Sequence, residues 1–267
     1  MNRYLRSGIA LGIALASGQV LSAQTSALYV SGSSGIHVLQ GGAQTNFWAH
    51  ANNGQYDLPI AVSGDVRTTG YQPGQPGAQY TLSGTYTGTT SANTWSESSY
   101  DGTTDGRSNY TVGFASGSVF ATDRSWANPT ALFQASVYDL GITYDGTLNS
   151  LWILNYFSGV VNNYSMTGTL LSSFNTNAYG QVSLAFDAAD QSLWLYGRDS
   201  DQLWHQYNTS GTQLSTFSVN LNDDVLGAEF DEDAAVAAPE PASLVLMGTG
   251  MLGLFGVARR GRGITRA

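Results

Sequence analysis

Residues 142–174 read ITYDGTLNSLWILNYFSGVVNNYSMTGTLLSSF, and residues 184–217 repeat the pattern as LAFDAADQSLWLYGRDSDQLWHQYNTSGTQLSTF. The matching Asp and Trp residues are 42 positions apart, and the matching Tyr, Gly and Phe residues are 43 apart. One inserted loop residue accounts for the difference. A repeat of this length with several short strands is typical of a β-propeller blade.

Within each copy the pattern predicts three consecutive strands. Leu-Trp-x-Leu indicates a central strand, the segment ending in Tyr the next one, and Gly-Thr the turn into a strand that ends in Phe. Weaker copies of parts of this unit occur at Tyr80–Thr85, at His37–Gly41 with Phe47, at Tyr56–Ile60, at Tyr138–Ile142 and at Phe120–Phe133.

The composition agrees with an all-β body. The chain of 267 residues contains 32 Gly and only six Pro, together with many Thr, Ser, Asn and Tyr, which favours short strands joined by tight turns. Four or five units would fill residues 28–233, so we expect a propeller-like array. Because residues 72–104 repeat poorly, a β-sandwich or a β-solenoid remains the alternative.

The charge distribution excludes one class of partner. Residues 24–237 carry four Arg against eighteen Asp and Glu, whereas the other six of the ten basic residues lie near the two ends. Nucleic acid binding requires a basic surface that displaces counterions, so this body is not expected to bind nucleic acid. The chain also lacks Cys, so no disulfide or thiolate contributes to it.

The first 23 residues have the pattern of a secretory signal peptide. Arg3 and Arg6 precede an apolar stretch over residues 9–16, and a small residue, Ala23, follows a polar segment. The apolar stretch is far shorter than the roughly 20 residues of a membrane span. We therefore expect an N-terminal signal helix, cleavage after Ala23, and a body over residues 24–233.

The last 29 residues have a second, different arrangement. After an Ala-rich linker at 234–238, Pro-Glu-Pro precedes seventeen uncharged residues, 242–258, and a basic tail. A helix of that length spans about 25 Å, slightly less than a hydrocarbon core of about 30 Å, and the arginines would hold its end in the cytoplasm. The residues that define the arrangement are Pro239, Glu240, Pro241, Arg259, Arg260 and Arg262.

This ordered arrangement over residues 239–267 resembles the PEP-CTERM sorting signal of Gram-negative bacteria. The resemblance implies recognition of the tail by an exosortase, a membrane peptidase, and transient anchoring by a transmembrane helix at 242–258. Export across the inner membrane would then deliver the body to the cell surface or extracellular matrix. Members of the family are often linked to exopolysaccharide and to biofilm formation, so polysaccharide is an expected partner.

Several residues of the body are candidates for a binding role. Trp152 and Trp194 hold equivalent positions in the two clear repeats and are predicted to be core residues. Trp95, Trp126 and Trp204 could stack on sugar rings if they are exposed.

Acidic residues raise the question of a calcium site. The candidates are Asp199 with Asp201, Asp101 with Asp105, and the acidic run over residues 223–233. None matches the Asp-x-Asp-x-Asp-Gly order of a calcium loop, so we predict solvated turns and no cofactor. Asp145 and Asp187 are predicted to close turns by accepting bonds from nearby amides.

No catalytic motif is present. The chain has three histidines, His37, His50 and His205, but no Gly-x-Ser-x-Gly, His-Glu-x-x-His or phosphate-binding glycine loop. We predict a non-catalytic binding or structural protein. A secreted carbohydrate-active enzyme is the alternative, because a glycosidase needs only two suitably placed carboxylates.

Overall fold

The computed structural model describes residues 26–51, 56–231 and 233, which form twenty strands in five four-stranded antiparallel sheets. We number the sheets as blades in chain order. The strands of blade 1 are β1 (Leu28–Gly32), β2 (Gly35–Gln40), β3 (Ala43–Ala49) and β20 (Val225–Phe230), and those of blade 2 are β4 (Ile60–Val62), β5 (Val66–Thr68), β6 (Pro76–Tyr80) and β7 (Tyr86–Ala92). Blade 3 contains β8 (Gly102–Thr104), β9 (Ser108–Val112), β10 (Ser118–Asp123) and β11 (Thr130–Gln134); blade 4 contains β12 (Asp139–Asp145), β13 (Ser150–Asn155), β14 (Val160–Ser165) and β15 (Leu170–Asn175); blade 5 contains β16 (Val182–Asp187), β17 (Ser192–Tyr196), β18 (Trp204–Asn208) and β19 (Gln213–Phe217).

The innermost strands β4, β8, β12, β16 and β20 contact one another in a closed ring, so the body is a five-bladed propeller. The ring closes where the last strand pairs with the first, with Leu28 opposite Phe230 and Val30 opposite Ala228. This pairing gives blade 1 its inner strand, β20, in the place that β4, β8, β12 and β16 hold in the other blades. The predicted propeller is confirmed, and the sandwich and solenoid alternatives are wrong.

Each predicted repeat unit corresponds to one blade, and its glycine locks neighbouring blades together. Gly168 and Gly211 have φ of +84° and +85°, a left-handed conformation that favours glycine. A Cβ added to Gly211 would lie 2.5 Å from the Cβ of Phe174 on the preceding blade. Gly and the aromatic residue six positions later therefore recur because each Phe covers the glycine turn of the next blade.

The frame predicted for blade 1 is wrong by one residue. Gly42, not Gly41, lies beside Phe217 of blade 5, and Trp48, not Phe47, pairs with Ile36 as Phe174 pairs with Val161. Both Gly41 and Gly42 have positive φ, so the turn has two glycines and the sequence alone gives no reason to choose between them.

Tryptophans fill the space between the blades. Trp152 and Trp194 are 1% and 2% exposed, so the prediction that they are core residues is confirmed. Trp95, Trp126 and Trp204 are equally buried, which means that the condition for sugar stacking at these three positions is not met.

A buried carboxylate closes the axis of the propeller. Asp101, immediately before β8, is fully buried and accepts four backbone amides. Its Oδ1 bonds Gly102 at 2.9 Å and Ala228 at 3.0 Å, and its Oδ2 bonds Leu184 at 2.8 Å and Ile142 at 3.1 Å. Burial raises the pKa of this carboxyl well above its usual range, against the lowering effect of the four amides. One side chain therefore connects the inner strands of four blades.

The equivalent positions of the other blades leave room for this side chain. They are occupied by Pro59, Gly141, Ser183 and Gly227, of which none carries a long side chain. One layer further along the axis, the Thr143 hydroxyl accepts the Phe186 amide at 3.0 Å and contacts Glu229 at 3.2 Å. The axis is filled by paired polar groups and is not an open channel at these layers.

The two predicted terminal segments lie outside the described residues. These are the signal peptide with its cleavage site at Ala23, the linker at 234–238 and the sorting segment at 239–267 with its transmembrane helix. In the ranges that the structure describes, no helix has the length and apolar character needed to cross a membrane.

Candidate functional site

The face of the propeller where the inner strands begin, here called the upper face, has a depression on the axis. Two kinds of loop meet there: those leading into the inner strands, and those following the second strand of each blade. The latter place one residue per blade at equivalent positions, Ser33, Tyr71, Phe114, Tyr156 and Arg198. These five positions hold four residue types, so the blades contribute unequally to the rim of the depression.

We call this depression the cup; it has a volume of about 330 Å³. Its floor consists of Leu58, Tyr100, Leu140 and Leu226, one at the start of the inner strand of each of four blades. The axial carboxylate of Asp101 lies directly after Tyr100 in the chain, so this floor is closed from below. The volume falls within the range of roughly 300–1,000 Å³ found for small-molecule sites.

The cup is lined by a continuous cluster of aromatic rings. Tyr71 stacks on Tyr100 with ring centroids 5.5 Å apart and planes 27° apart. Phe114 meets Tyr100 edge to face at 5.4 Å and Tyr138 at 5.5 Å, and Tyr56 contacts Tyr71 at 5.6 Å. Offset and edge-to-face pairs of this kind hold each other in place, so the rings are positioned before any ligand arrives.

Backbone hydrogen bonds connect the loops beneath these rings, both within a blade and between neighbouring blades. The Tyr71 amide donates to the Tyr56 carbonyl at 3.2 Å, the Tyr138 amide to the Phe114 carbonyl at 2.8 Å, and the Tyr156 amide to the Tyr138 carbonyl at 3.1 Å. The Gly180 amide continues the series by donating to the Tyr156 carbonyl at 2.8 Å. Loops that usually move independently are therefore tied into one rigid rim.

Two tyrosines of the rim have strained backbones. Tyr56 and Tyr138 have φ of +71° and +67°. The equivalent position of blade 5 is occupied by Gly180, with φ of +70°. A left-handed conformation costs a non-glycine residue about 1–2 kcal/mol. Such strain concentrates at functional positions, where the side chain is needed in spite of the backbone cost.

One side of the cup is polar. Arg198 donates through Nε to Asp224 Oδ1 at 2.6 Å, through Nη2 to Asp224 Oδ2 at 3.1 Å, and through Nη1 to Asp199 at 3.0 Å. The Tyr156 hydroxyl donates to Asp199 at 2.6 Å, and this bond raises the pKa of the tyrosine. The bond with Asp224 raises the pKa of Arg198, which stays cationic and fixed in position.

Two hydroxyl groups in the cup have no partner. Among the described residues, the phenols of Tyr71 and Tyr100 form no hydrogen bond, although Tyr100 is half-buried and burial raises its pKa. A hydroxyl can donate one hydrogen bond and accept two. Both groups are therefore available to a polar ligand whose apolar face lies on the rings.

Beside Arg198 the cup opens into a groove of about 810 Å³ between blades 5 and 1. Four carboxylates line the cup and groove, those of Asp199, Asp201, Asp223 and Asp224. Burial alone would raise the pKa of Asp223, but hydrogen bonds from His37, Ser33 and Ser34 outweigh it and hold the pKa far below its usual range. The same balance lowers the pKa of Asp201, whose partner is His205.

The acidic candidates from the sequence are distributed over different parts of the fold. Asp145 accepts the amides of Thr147 and Leu148 at 2.9 and 3.1 Å, and Asp187 accepts that of Ala189 at 3.0 Å, so both close turns as predicted. Asp101 fills the axis, whereas Asp105 caps the turn between β8 and β9. In the described part of the chain no three acidic or histidine side chains converge as metal ligands.

The three histidines have three different aspartate neighbours. His37 bonds Asp223 at 2.9 Å and His205 bonds Asp201 at 3.0 Å. His50 is buried with its Nδ1 3.7 Å from Asp57 Oδ2, and burial raises the pKa of Asp57 to about 7. Each histidine therefore pairs with a different aspartate.

The cup itself was not predicted from the sequence. Tyr71, Phe114 and Tyr156 hold the same place after their second strands, but loops of different length hide the spacing. Tyr56 and Tyr138 had a visible signal, because the leading segments Tyr-Asp-Leu-x-Ile recur 82 residues apart. That recurrence indicated a repeated strand and not a shared site.

Comparison with known proteins identifies the tail. A family model described as the PEP-CTERM protein-sorting motif matches residues 237–261. The tail carries a PEP-CTERM sorting motif. This motif implies export and membrane-anchored sorting of the chain, with processing by an exosortase, as predicted from the arrangement over residues 239–267. No curated protein matches the sequence.

Solved structures resemble the body in fold. A chain in a crystal structure of a nidogen/laminin complex aligns with a TM-score of 0.52 at 13% identity, covering 78% of this chain and 99% of that one. A protein of unknown function from Bacteroides caccae aligns at 0.47 and 14%, covering 74% of each chain. Virginiamycin B lyase from Staphylococcus aureus aligns at 0.44 and 13%, covering 71% and 64%. At these identities the first likeness supports the propeller fold alone.

Proposed function

We propose that this protein is delivered to the cell surface or extracellular matrix and binds exopolysaccharide there without cleaving it. The sorting motif at residues 237–261 supports the route. The cup on the upper face supports the binding role. The two parts are independent, so each has its own test.

The observation that carries the binding role is the aromatic lining of the cup. A sugar ring has an apolar C–H face and hydroxyls at its edge, and a flat aromatic ring with adjacent polar groups complements both. The stacked rings of Tyr71 and Tyr100 offer the flat face, and their unpaired hydroxyls lie at its edge. Arg198 and Asp224 add a planar, fixed pair of donor and acceptor groups on the opposite side.

The electrostatics of the cup favour binding over hydrolysis. A glycosidase needs one carboxyl that stays protonated near neutral pH, which requires a raised pKa. The pKa values of Asp201 and Asp223 are lowered instead. Asp199 and Asp224 both form ion pairs with the guanidinium of Arg198.

The sorting route is tested by truncation after Ala238 in the native cells. The propeller ring closes with β20, which ends at Phe230, so the truncation removes none of the strands that the structure describes. We expect the body to be released into the medium, and the full chain to remain on cells or in the matrix. Retention of the truncated body on the cell surface would contradict the proposed sorting.

The binding role is tested with that released body and exopolysaccharide extracted from the same cells. We expect Tyr71→Ala and Tyr100→Ala to weaken retention on the immobilised polymer at least about tenfold, equivalent to about 1.4 kcal/mol. The matched control is Tyr86→Ala on the outer strand of blade 2, where the side chain is 39% exposed and outside the cup. Equal retention of all three variants would refute binding in the cup, and release of new reducing ends would support the enzyme alternative.

A further inference from the structure

The charge around the cup restricts the glycans that it can accept. The cup and groove together contain four carboxylates and one guanidinium, that of Arg198. The surrounding body adds to this field, since residues 24–237 carry eighteen acidic side chains against four Arg. A polymer of uronic acids or sulfated sugars would approach a site of the same sign and be repelled.

An amine-bearing glycan is not favoured either, because each acidic group already has a partner. Asp223 accepts bonds from Ser33, Ser34 and His37, and the Asp224 and Asp199 carboxylates share the guanidinium of Arg198. An amine would gain little from an ion pair with Asp199, Asp201 or Asp224, because these side chains are more than a third exposed and exposed ion pairs are weak.

Uncharged hydroxyls fit the groups that remain. Arg198 uses three of its five N–H donors on Asp224 and Asp199, so two are left for a ligand. The phenols of Tyr71 and Tyr100 add donor and acceptor capacity without charge.

The shape of the cup indicates how a chain would enter. All five blades contribute to its wall or floor, and the floor is closed by three leucines and Tyr100 above the Asp101 carboxylate. The groove shares Arg198 and Asp224 with the cup and extends from it toward Asn220 between blades 5 and 1. A glycan whose terminal sugar lies in the cup can therefore continue along the groove. This arrangement suits the end of a glycan better than an internal segment.

We propose that the cup binds the terminal sugar of an uncharged glycan and that the groove accommodates the following units. This inference rests on the proposed glycan-binding function and specifies its ligand class. It distinguishes the protein from one that coats acidic exopolysaccharide along its length.

The test uses a glycan array with matched pairs that share one core and differ only in whether the terminal sugar is uncharged or bears a carboxylate. The full-length body released by truncation after Ala238 is applied at about 50 mM and at about 1 M NaCl. We expect binding to uncharged termini, at least tenfold weaker binding to the carboxylated partners at low salt, and a smaller difference at high salt because salt screens the repulsion.

The outcomes separate this inference from the proposed function. Equal or stronger binding of carboxylated termini would overturn the ligand class and leave glycan binding intact. Binding that depends only on internal units, and not on the terminal sugar, would overturn the end-on geometry. Absence of binding to every glycan, including the extracted polymer, would overturn both. Loss of the observed binding in Tyr71→Ala, but not in Tyr86→Ala, would assign it to the cup.

Discussion

Replacement of Asp101 by Asn tests whether one side chain holds the propeller ring together. The carboxylate accepts four amides, two on each oxygen, from its own inner strand and from those of blades 1, 4 and 5. The amide group of Asn keeps one acceptor oxygen and turns a donor toward the other two amides. Those two amides then lack a partner in a site without solvent exposure.

The expected loss of unfolding free energy follows from the number of amides left unpaired. An unsatisfied buried polar group costs about 1–3 kcal/mol, so two cost about 2–6 kcal/mol. A domain typically has a total unfolding free energy of about 5–15 kcal/mol, so the loss is a large fraction of it. Thr103→Val gives an intermediate case, because its hydroxyl accepts one amide, that of Tyr144, at 2.9 Å.

Urea titrations measure the differences in unfolding free energy between these variants. Tryptophan fluorescence follows the unfolding, because the tryptophans between the blades are buried in the folded protein. Sulfate in the buffer keeps the weakest variant folded at zero urea. The control is Asp105→Asn in the next turn of the same blade, where the Asn oxygen can still accept the amides of Arg107 and Ser108. A loss for Asp101→Asn below about 1 kcal/mol, or no larger than for Asp105→Asn, would refute the role assigned to the axial carboxylate.

Three further predictions follow from the same structure. Burial raises the pKa of Asp57 to about 7, so its folded form binds a proton more tightly than the unfolded chain; stability from this group is complete below the ordinary pKa and is lost as pH rises through about 7. Asp57→Asn should therefore stabilise the protein by about 4 kcal/mol more at pH 8 than at pH 4 in thermal melts, and a pH-independent effect would contradict the assignment. Gly168→Ala should destabilise by several kcal/mol more than Gly88→Ala, because both have φ near +85° but only Gly168 has an aromatic side chain where the Cβ would lie, 2.6 Å away; equal losses in urea titrations would show that backbone strain alone matters. Truncation after Ala238 should leave the melting temperature unchanged, whereas truncation after Asp224 removes the closing strand and should abolish cooperative melting; a cooperative transition in the shorter chain would mean that the ring does not need β20.

The propeller was predictable from the sequence because its repeats obey strict packing rules. The turn after the third strand requires glycine, because its backbone has positive φ and an aromatic side chain of the preceding blade occupies the space that a Cβ would need. Gly211 is an example. Trp152 and Trp194 recur because each packs in the core cluster between its own blade and the next one. Blade 3 was barely visible, because its outer turn has no glycine and uses Asp123 to accept the amides of Ser125 and Ala127 instead.

The candidate site was not predictable, because it depends on what the blades do not share. The five equivalent positions after the second strand contain Ser33, Tyr71, Phe114, Tyr156 and Arg198, which no repeat search would align. The axial aspartate is likewise unique to one blade, where others have Gly141 or Gly227. A repeat reveals the scaffold, whereas the cup is lined by residues that differ between the repeats and become neighbours only in the closed ring.

The pairing of Leu28 with Phe230 also determines the face of the propeller at which the described chain begins and ends. Both residues lie at the lower face, opposite the cup, since β1 starts there and β20 ends there. Ser26 bonds Asp187 in a lower turn, and Asp231 accepts the amide of Gly64 in another, so the chain leaves the body on that side at both ends. The described chain therefore enters and leaves the propeller on the face opposite the aromatic rings of the cup.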